Sequence, residues 1–282
     1  MLHRKKKCKY PMKRPINDGN RPRIKGKHLT IRKKFGIGIA TLMVLAAVIA
    51  LGHHGPIPQS QSYHGFADKR ALWGIPHFLD VMSNLAFILV GLLGLYECLV
   101  KRTIRMAEEF RKNYIYFFTG MALVGVGSGY YHLAPSNQSL VWDRIPMTIA
   151  IMALVSIVIG EFVSIRWASM LLFPLVAVGI LSVLYWYWTE TTGNGDLRPY
   201  VLVQFLPMIV IPVILVCFDS EYSTTRGYWL LLSAYVIAKI FEHFDGEIFL
   251  ASGLVSGHTL KHLSAAAGTY LLLVSFRRRR LF

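Results

Sequence analysis

Residues 167–188 read WASMLLFPLVAVGILSVLYWYW, a run of apolar and small residues without a single charged side chain. A helix needs about 20 predominantly apolar residues to cross the hydrocarbon core of a bilayer. The run is too long for a strand, and its apolar residues do not alternate with polar ones. Because a backbone in lipid must satisfy its own hydrogen bonds, we expect this stretch to form a membrane-spanning α-helix.

Seven further blocks of the sequence have the same character. Together, the eight predicted spans are 35–52, 77–100, 113–133, 144–163, 167–188, 199–218, 227–244 and 257–276. Of the 282 residues, 54% are hydrophobic and 16% are charged, whereas an ordinary soluble domain has about 25% charged residues. The sequence therefore predicts an all-α, multi-pass membrane protein, and it excludes a soluble globular enzyme, a disordered chain and a coiled coil.

The formal net charge of +16 is concentrated at the N-terminus. Residues 1–34 contain fourteen Lys or Arg and one acid, Asp18, which leaves a net charge of +3 for the remaining 248 residues. A basic segment in front of an apolar helix is typical of a cytoplasmic tail that contacts anionic lipid headgroups. The tail has almost no aromatic residues between its cations, so a lipid surface is favoured over nucleic acid.

The loops between the spans differ in their Lys and Arg content, and this difference predicts the orientation of the chain. Loop 101–112 carries five basic residues, and 277–280 is a run of four arginines. The loops on the other side are poorer in Lys and Arg: 53–76, 134–143, 189–198 and 245–256. We therefore expect both termini in the cytoplasm, with 1–34 and 277–282 as basic cytoplasmic segments. The compact chain favours a bacterial inner membrane over an endomembrane, as do its three cysteines, which are expected on the cytoplasmic side and therefore reduced.

The first span, 35–52, follows the basic tail directly and is predicted to be an additional N-terminal transmembrane helix. A cleaved signal peptide is the alternative, because Ala50-Leu51-Gly52 offers a small-residue cleavage site. The basic segment in front of the span is long for a signal peptide, which favours the retained helix.

Polar and ionisable residues in the predicted spans collect at one end of the bundle. A charged side chain costs about 2.5–3.5 kcal/mol at the centre of a membrane helix, so a set confined to one side indicates function. The outer ends of the spans carry Asp80, Ser128, His132, Asp143, Lys239, Glu242, His243, Asp245, Glu247, His258, Lys261 and His262.

Three of these histidines have a spacing that suits a metal site. His258 and His262 are four residues apart and share one helical face. His132 closes the third span, and Asp143 opens the fourth after about ten residues, so both lie at the same depth. Three imidazoles with one open position form the ligand set of a catalytic zinc, which lowers the pKa of a bound water to about 7. In the alternative, the histidines only hydrogen-bond at the interface, Ser128 lets helices pack closely and Asp143 caps a helix.

Several of these residues lie in motifs that resemble a known family. The motifs are Gly127-Ser128-Gly129-Tyr130-Tyr131-His132, then Asp143, then Ser256-Gly257-His258-Thr259-Leu260-Lys261-His262. They resemble the Ser-x3-His, Asp and His-x3-His motifs of the alkaline ceramidases, which belong to the CREST superfamily of seven-helix membrane hydrolases. The stretch Asp80-Val81-Met82-Ser83-Asn84-Leu85 is similar to the Ser-Asn stretch that opens the family core. The resemblance covers 77–276, seven of the eight predicted helices.

The resemblance implies a zinc-dependent amide hydrolase that cleaves a ceramide-type lipid into a sphingoid base and a fatty acid. Its zinc ligands would be His132, His258 and His262. Asp143 would take the proton of the water and return it to the leaving amine, a role that suits a carboxylate beside a metal. Ser128 would hydrogen-bond the water or the oxyanion.

The resemblance does not extend to a calcium site. The alkaline ceramidases bind calcium through an acidic N-terminal cluster, whereas only Asp68 and Asp80 remain in that region here, so calcium is not expected. The span 227–244 ends in an unusually charged stretch, which is either a pocket entrance or a solvated helix end. The candidates for pocket or lipid-headgroup contacts are Asp80, Lys239, Glu242, Asp245 and Lys261.

Other functions fit parts of this pattern. A non-catalytic lipid receptor of the same superfamily would keep the metal without useful turnover. A haem protein would use histidines from neighbouring helices as axial ligands. A metal or proton transporter would need polar residues that continue through the membrane, and the inner halves of the spans offer few.

Overall fold

The computed structural model describes residues 30–280, which form a bundle of α-helices. The helices in this part of the chain are α1 (Ile31–His53), α2 (Phe78–Ser83), α3 (Leu85–Tyr96), α4 (Arg111–Leu133), α5 (Asn137–Phe162), α6 (Ile165–Thr191), α7 (Arg198–Cys217), α8 (Arg226–His243), α9 (Asp245–Ser252) and α10 (Gly257–Arg278). Within residues 30–280 the only β-structure is an isolated bridge between Leu72 and Ile75. The predicted all-α class is confirmed, and most of the predicted basic tail lies outside the described residues.

Within residues 30–280, five segments are long and apolar enough to cross a membrane: α1, Phe78–Lys101, α5, α6 and α7. The segment Phe78–Lys101 contains α2, α3 and a π-helical turn, Glu97–Lys101. The other long helices, α4, α8 and α10, have 23, 18 and 22 residues, which is enough to span a bilayer. They carry many of the polar residues discussed above. The membrane crossing of α4, α8 and α10 stays a prediction.

The second predicted span is interrupted. Helix α2 ends at Ser83, and α3 begins at Leu85. The break falls at Asn84, whose side-chain amide donates to the carbonyl of Asp80 at 2.7 Å. Such a side-chain bond competes with the regular helical ladder. The predicted outer loop 245–256 is not irregular throughout, because its first part is α9.

The fourth predicted span begins earlier than expected. Ser136 and Ser139 form a reciprocal capping box that starts α5 at Asn137, because each side chain satisfies a free backbone N–H of the first turn. Asp143 therefore lies almost two turns inside α5. The expectation that it opens the helix, or caps it, is wrong.

Two glycines let the long helices approach each other closely. A Cβ atom at Gly127 of α4 would collide with the Trp142 carbonyl of α5. A Cβ atom at Gly257 of α10 would collide with the Phe241 carbonyl of α8. Small residues at helix contacts are typical of membrane bundles, where packing replaces the hydrophobic driving force. Both contacts lie at the same end of the bundle, which we call the histidine end.

The opposite end, which we call the arginine end, closes around a buried ion pair. Arg279 and Glu161 are each 1–3% exposed, and Arg279 Nη1 lies 2.7 Å from Glu161 Oε1. Arg279 also donates to the Arg105 carbonyl and to the Tyr114 hydroxyl. Its guanidinium lies 3.7 Å from the ring of Tyr222. One arginine of the basic run is thus part of the core.

Candidate metal centre and pocket

Three histidines from α4 and α10 meet at the histidine end. His132 lies in the last turn of α4, and His258 and His262 lie in the first two turns of α10. Each offers one ring nitrogen, and these atoms lie within 4.8 Å of one another. None of the three side chains is more than 6% exposed. The residues predicted from spacing therefore form a group that could hold a metal ion.

The ring nitrogens of His132 and His262 are placed to bind a metal, whereas His258 Nε2 lies 3.2 Å from Lys261 Nζ. Both nitrogens of His132 are buried without a hydrogen-bond partner, an arrangement that costs free energy unless a ligand binds there. His262 Nδ1 lies 2.8 Å from Ser83 Oγ, and that hydroxyl donates to the Asp80 carbonyl at 2.9 Å. Since the hydroxyl proton is already used, His262 donates from Nδ1 and keeps Nε2 free as a ligand atom. Three neutral imidazoles are the donor set of a catalytic zinc site.

An aromatic ring from the loop before α2 covers the histidines. The Phe66 ring lies 4.5 Å from the ring of His132 and 4.6 Å from that of His258, measured between centroids. Asp245 fixes this loop, because its two carboxylate oxygens accept from the Ala67 N–H at 3.0 Å and from the His258 N–H at 2.7 Å. The sequence gives no signal for this cover, since Phe66 lies in an irregular loop far from either motif.

A pocket leads from the histidines into the bundle. It holds about 1210 Å³ of empty space, its mouth included. His262, Ser128 and Asp143 lie in its lining, together with apolar side chains such as Phe117, Met121, Val124, Met147 and Leu154. Asp143 and Leu154 are eleven residues apart on α5, so the lining extends about 17 Å along the helix axis. The pocket is therefore polar near the histidines and apolar below them.

Ser128 and Asp143, the predicted catalytic pair, face each other across the contact between α4 and α5. The close packing of Gly127 on the Trp142 carbonyl brings the next residue, Ser128, beside the Asp143 carboxylate. Ser128 is 3% exposed. Both side chains line the same pocket as His262, so a substrate group near the histidines is within their reach.

The candidates for headgroup contacts divide into two sets. Lys239, Glu242 and Lys261 line the pocket. Asp80 and Asp245 lie outside its lining and tie segments of the chain together. Asp80 is fully buried and accepts from hydroxyl groups at the start of α10, those of Ser256 at 3.0 Å and Thr259 at 2.6 Å. His243 and Glu247, from the same charged stretch, are exposed.

Asp68, the other acid of the region compared with a calcium site, pairs with an arginine. It is 1% exposed and accepts from Arg70 Nε at 2.8 Å and Nη2 at 2.7 Å. Arg70 also donates to the Leu254 carbonyl at 2.6 Å, which joins the loop to the segment before α10. The Arg70 guanidinium holds the pKa of the Asp68 carboxyl below its ordinary value.

Comparison with known proteins agrees with the resemblance in the sequence. The family model described as Ceramidase matches residues 74–281, nearly three quarters of the chain. The matched segment contains all three histidines, Ser128 and Asp143, and it leaves out α1. No curated protein matches the chain.

Proposed function

Because the chain belongs to the ceramidase family, it is a ceramidase-like membrane hydrolase, and we propose that it uses zinc to cleave the amide bond of a ceramide-type lipid. The observation that carries the proposal is the buried group of His132, His258 and His262, of which His262 lines a deep pocket. The products would be a sphingoid base and a fatty acid.

The proposed mechanism assigns one task to each side chain near the histidines. His132, His258 and His262 would hold the zinc ion, which would act as a Lewis acid toward the carbonyl oxygen and would lower the pKa of water to about 7. Asp143 takes the proton of the attacking water and delivers it to the leaving amine nitrogen. The Ser128 hydroxyl donates a hydrogen bond to the carbonyl oxygen as negative charge develops on that oxygen.

The shape and lining of the pocket support a lipid substrate. Its apolar part, along the roughly 17 Å between Asp143 and Leu154, suits an extended acyl chain. The amide bond would then lie at the polar end, beside Asp143 and His262. Phe66 covers the histidines from the loop side and keeps bulk water from that face, which strengthens the electrostatic interactions inside.

The proposed topology places the histidine end on the outer, periplasmic or luminal, side and both termini in the cytoplasm. Loop 101–112 and Arg279 support it, because Arg279 donates to the Arg105 carbonyl, so the two basic segments share one end of the bundle. The tail 1–34 would contact anionic headgroups on that side, and a bacterial inner membrane is the proposed location.

Metal analysis of the purified protein tests the proposal. We expect about one zinc per chain, loss of zinc and of ceramide cleavage in His262→Ala, and retention of both in His243→Ala. His243 is the matched control, because it is an exposed histidine at the same end. A haem absorption band would favour electron transfer instead. Zinc without cleavage of any lipid amide would favour the receptor, and absence of metal would end the proposal.

A further inference from the structure

Three charged side chains line the pocket next to the histidines, and the proposed hydrolysis of a neutral ceramide uses none of them. Lys261 Nζ lies 2.8 Å from Glu242 Oε1 and 3.2 Å from His258 Nε2. Lys239 pairs with the other oxygen of Glu242 and lies 5.6 Å from the ring of Phe205. A single carboxylate therefore serves two ammonium groups.

Two lysines and two carboxylates line the pocket, and a further cation lies beside it. Asp143 is the second carboxylate in the lining, but the next residue, Arg144, is a buried cation. Its guanidinium lies 4.2 Å from the ring of Trp186 and 4.5 Å from that of Tyr200. Two of its nitrogens, Nε and Nη1, are buried without a partner. Arg144 itself lies outside the lining. Within the lining, the two lysines share the two oxygens of one carboxylate, Glu242, so a substrate anion can take the place of Glu242 beside one of them.

We infer that the substrate is a lipid amide with an anionic headgroup, a phosphate or a carboxylate, attached close to the amide nitrogen. This rests on the proposed function. Lysine binds phosphate and carboxylate as a point charge. Because Lys261 reaches within 3.2 Å of a histidine nitrogen, an anion bound by Lys261 and an amide at the histidines are separated by only a few bonds. Lys239 is half-exposed and lies where the headgroup would enter.

The competing explanation is that the lysines only tie α8 to α10 through Glu242. Two variants separate the explanations, because Lys239→Gln and Glu242→Gln break the same ion pair but change the charge of the pocket in opposite directions. A structural tie predicts that both variants lower the hydrolysis of every substrate alike. Charge recognition predicts opposite changes in the ratio of anionic to neutral substrate cleaved.

The experiment uses the full-length, zinc-loaded protein in phosphatidylcholine nanodiscs. The substrates share one acyl chain: a ceramide, the corresponding ceramide 1-phosphate and an N-acyl amino acid. We expect wild type to cleave one anionic substrate at least tenfold faster than ceramide in kcat/KM. Lys239→Gln should lower this preference about tenfold, and Glu242→Gln should raise it. Comparing the phosphate with the carboxylate identifies the headgroup.

Lys112→Gln is the matched control. Lys112 also lies over a phenylalanine ring, 5.4 Å from Phe173, but it is outside the pocket lining, so its loss should leave the preference unchanged. A preference ratio within one variant does not depend on how much of that variant folds.

Each other result counts against the inference. Cleavage of ceramide as fast as both anionic substrates overturns it and leaves the hydrolase standing. Equal losses on all substrates in Lys239→Gln and Glu242→Gln overturn it in favour of the structural tie. If none of the three amides is cleaved, the proposed function fails and the inference fails with it.

Discussion

The two ends of the bundle each bury a polar side chain at their centre, Arg279 and His132, and these two side chains differ in hydrogen bonding. At the arginine end, Arg279 donates to Glu161, to the Arg105 carbonyl and to the Tyr114 hydroxyl. At the histidine end, both ring nitrogens of His132 lack a partner, and the neighbouring His262 lines a pocket. A buried group that is fully paired stabilises one structure, whereas an unpaired one is ready to bind a ligand.

This contrast indicates that residues important for stability lie at the arginine end and residues important for activity lie at the histidine end. Variants at the arginine end should change stability and leave the chemistry of the folded protein intact. Variants of the catalytic candidates and of Ser83 at the histidine end should change turnover or metal binding with little loss of stability. The following predictions test this separation.

The largest effect is expected for Asp143→Asn. An amide cannot accept the proton of the attacking water, so hydrolysis should fall by about 10² to 10⁴-fold. Zinc content should be unchanged, since Asp143 is not in the histidine group. The melting temperature should change little, because the substitution keeps the size and shape of the side chain. Turnover of Asp143→Asn at the wild-type rate would show that Asp143 is not the base.

The next effect is expected for Arg279→Ala. The substitution leaves Glu161 buried without its partner, and breaking a buried ion pair in this way costs about 3–5 kcal/mol. A lower melting temperature in detergent should accompany an unchanged zinc content per folded chain. Arg278→Ala removes an exposed arginine from the same run and should behave like wild type. Loss of zinc from folded Arg279→Ala would contradict the separation of the two ends.

A smaller effect is expected for Ser83→Ala, which removes the oxygen that orients His262. Loss of a partner that orients a metal-binding histidine weakens metal affinity by about 10 to 100-fold. Competition with a chelator measures this change. Ser182→Ala is the matched control, because Ser182 is also buried and donates to a helical carbonyl, that of Gly179 at 2.7 Å, without a histidine nearby. Equal zinc affinity in both variants would show that Ser83 does not orient His262 for metal binding.

The sequence predicts the helices well and the contacts between distant segments poorly. All eight apolar blocks fall on helices, and apart from the start of α5 their ends agree within a few residues, because length and hydropathy determine a span. The spacing of His258 and His262 also predicts their shared face. By contrast, Phe66 and Ser83 reach the histidines from segments far along the chain. The spacing of residues within one segment carries no information about such contacts.

The misplaced start of α5 has a different cause. The expected boundary followed the beginning of the apolar run, whereas the helix begins where Ser136 and Ser139 satisfy the free backbone groups of the first turn. A serine followed three residues later by another polar residue was a readable signal of a cap. The roles of Asp80 and Asp245 could not be read in this way, because their partners lie on other helices or loops.

The smallest effect concerns a paired acid at the histidine end, Asp68, which holds the loop that carries Phe66. Arg70 lowers the pKa of Asp68 below the value of about 3.9 expected in the unfolded chain. The stabilisation is therefore complete above about pH 4 and is lost as the pH falls through the folded pKa. Wild type should be more stable than Asp68→Asn at pH 7, and the difference should vanish in acid.

Melting temperatures of zinc-free protein between pH 7 and pH 3 measure this difference without interference from metal release. Asp219→Asn provides the control, because Asp219 pairs with Arg32 at 3.3 Å but is 71% exposed, and exposed pairs contribute little. If Asp68→Asn and Asp219→Asn differ from wild type by the same small amount at every pH, the Asp68–Arg70 pair does not hold the loop. The cover over the histidines would then depend on Asp245, which binds both the loop and α10.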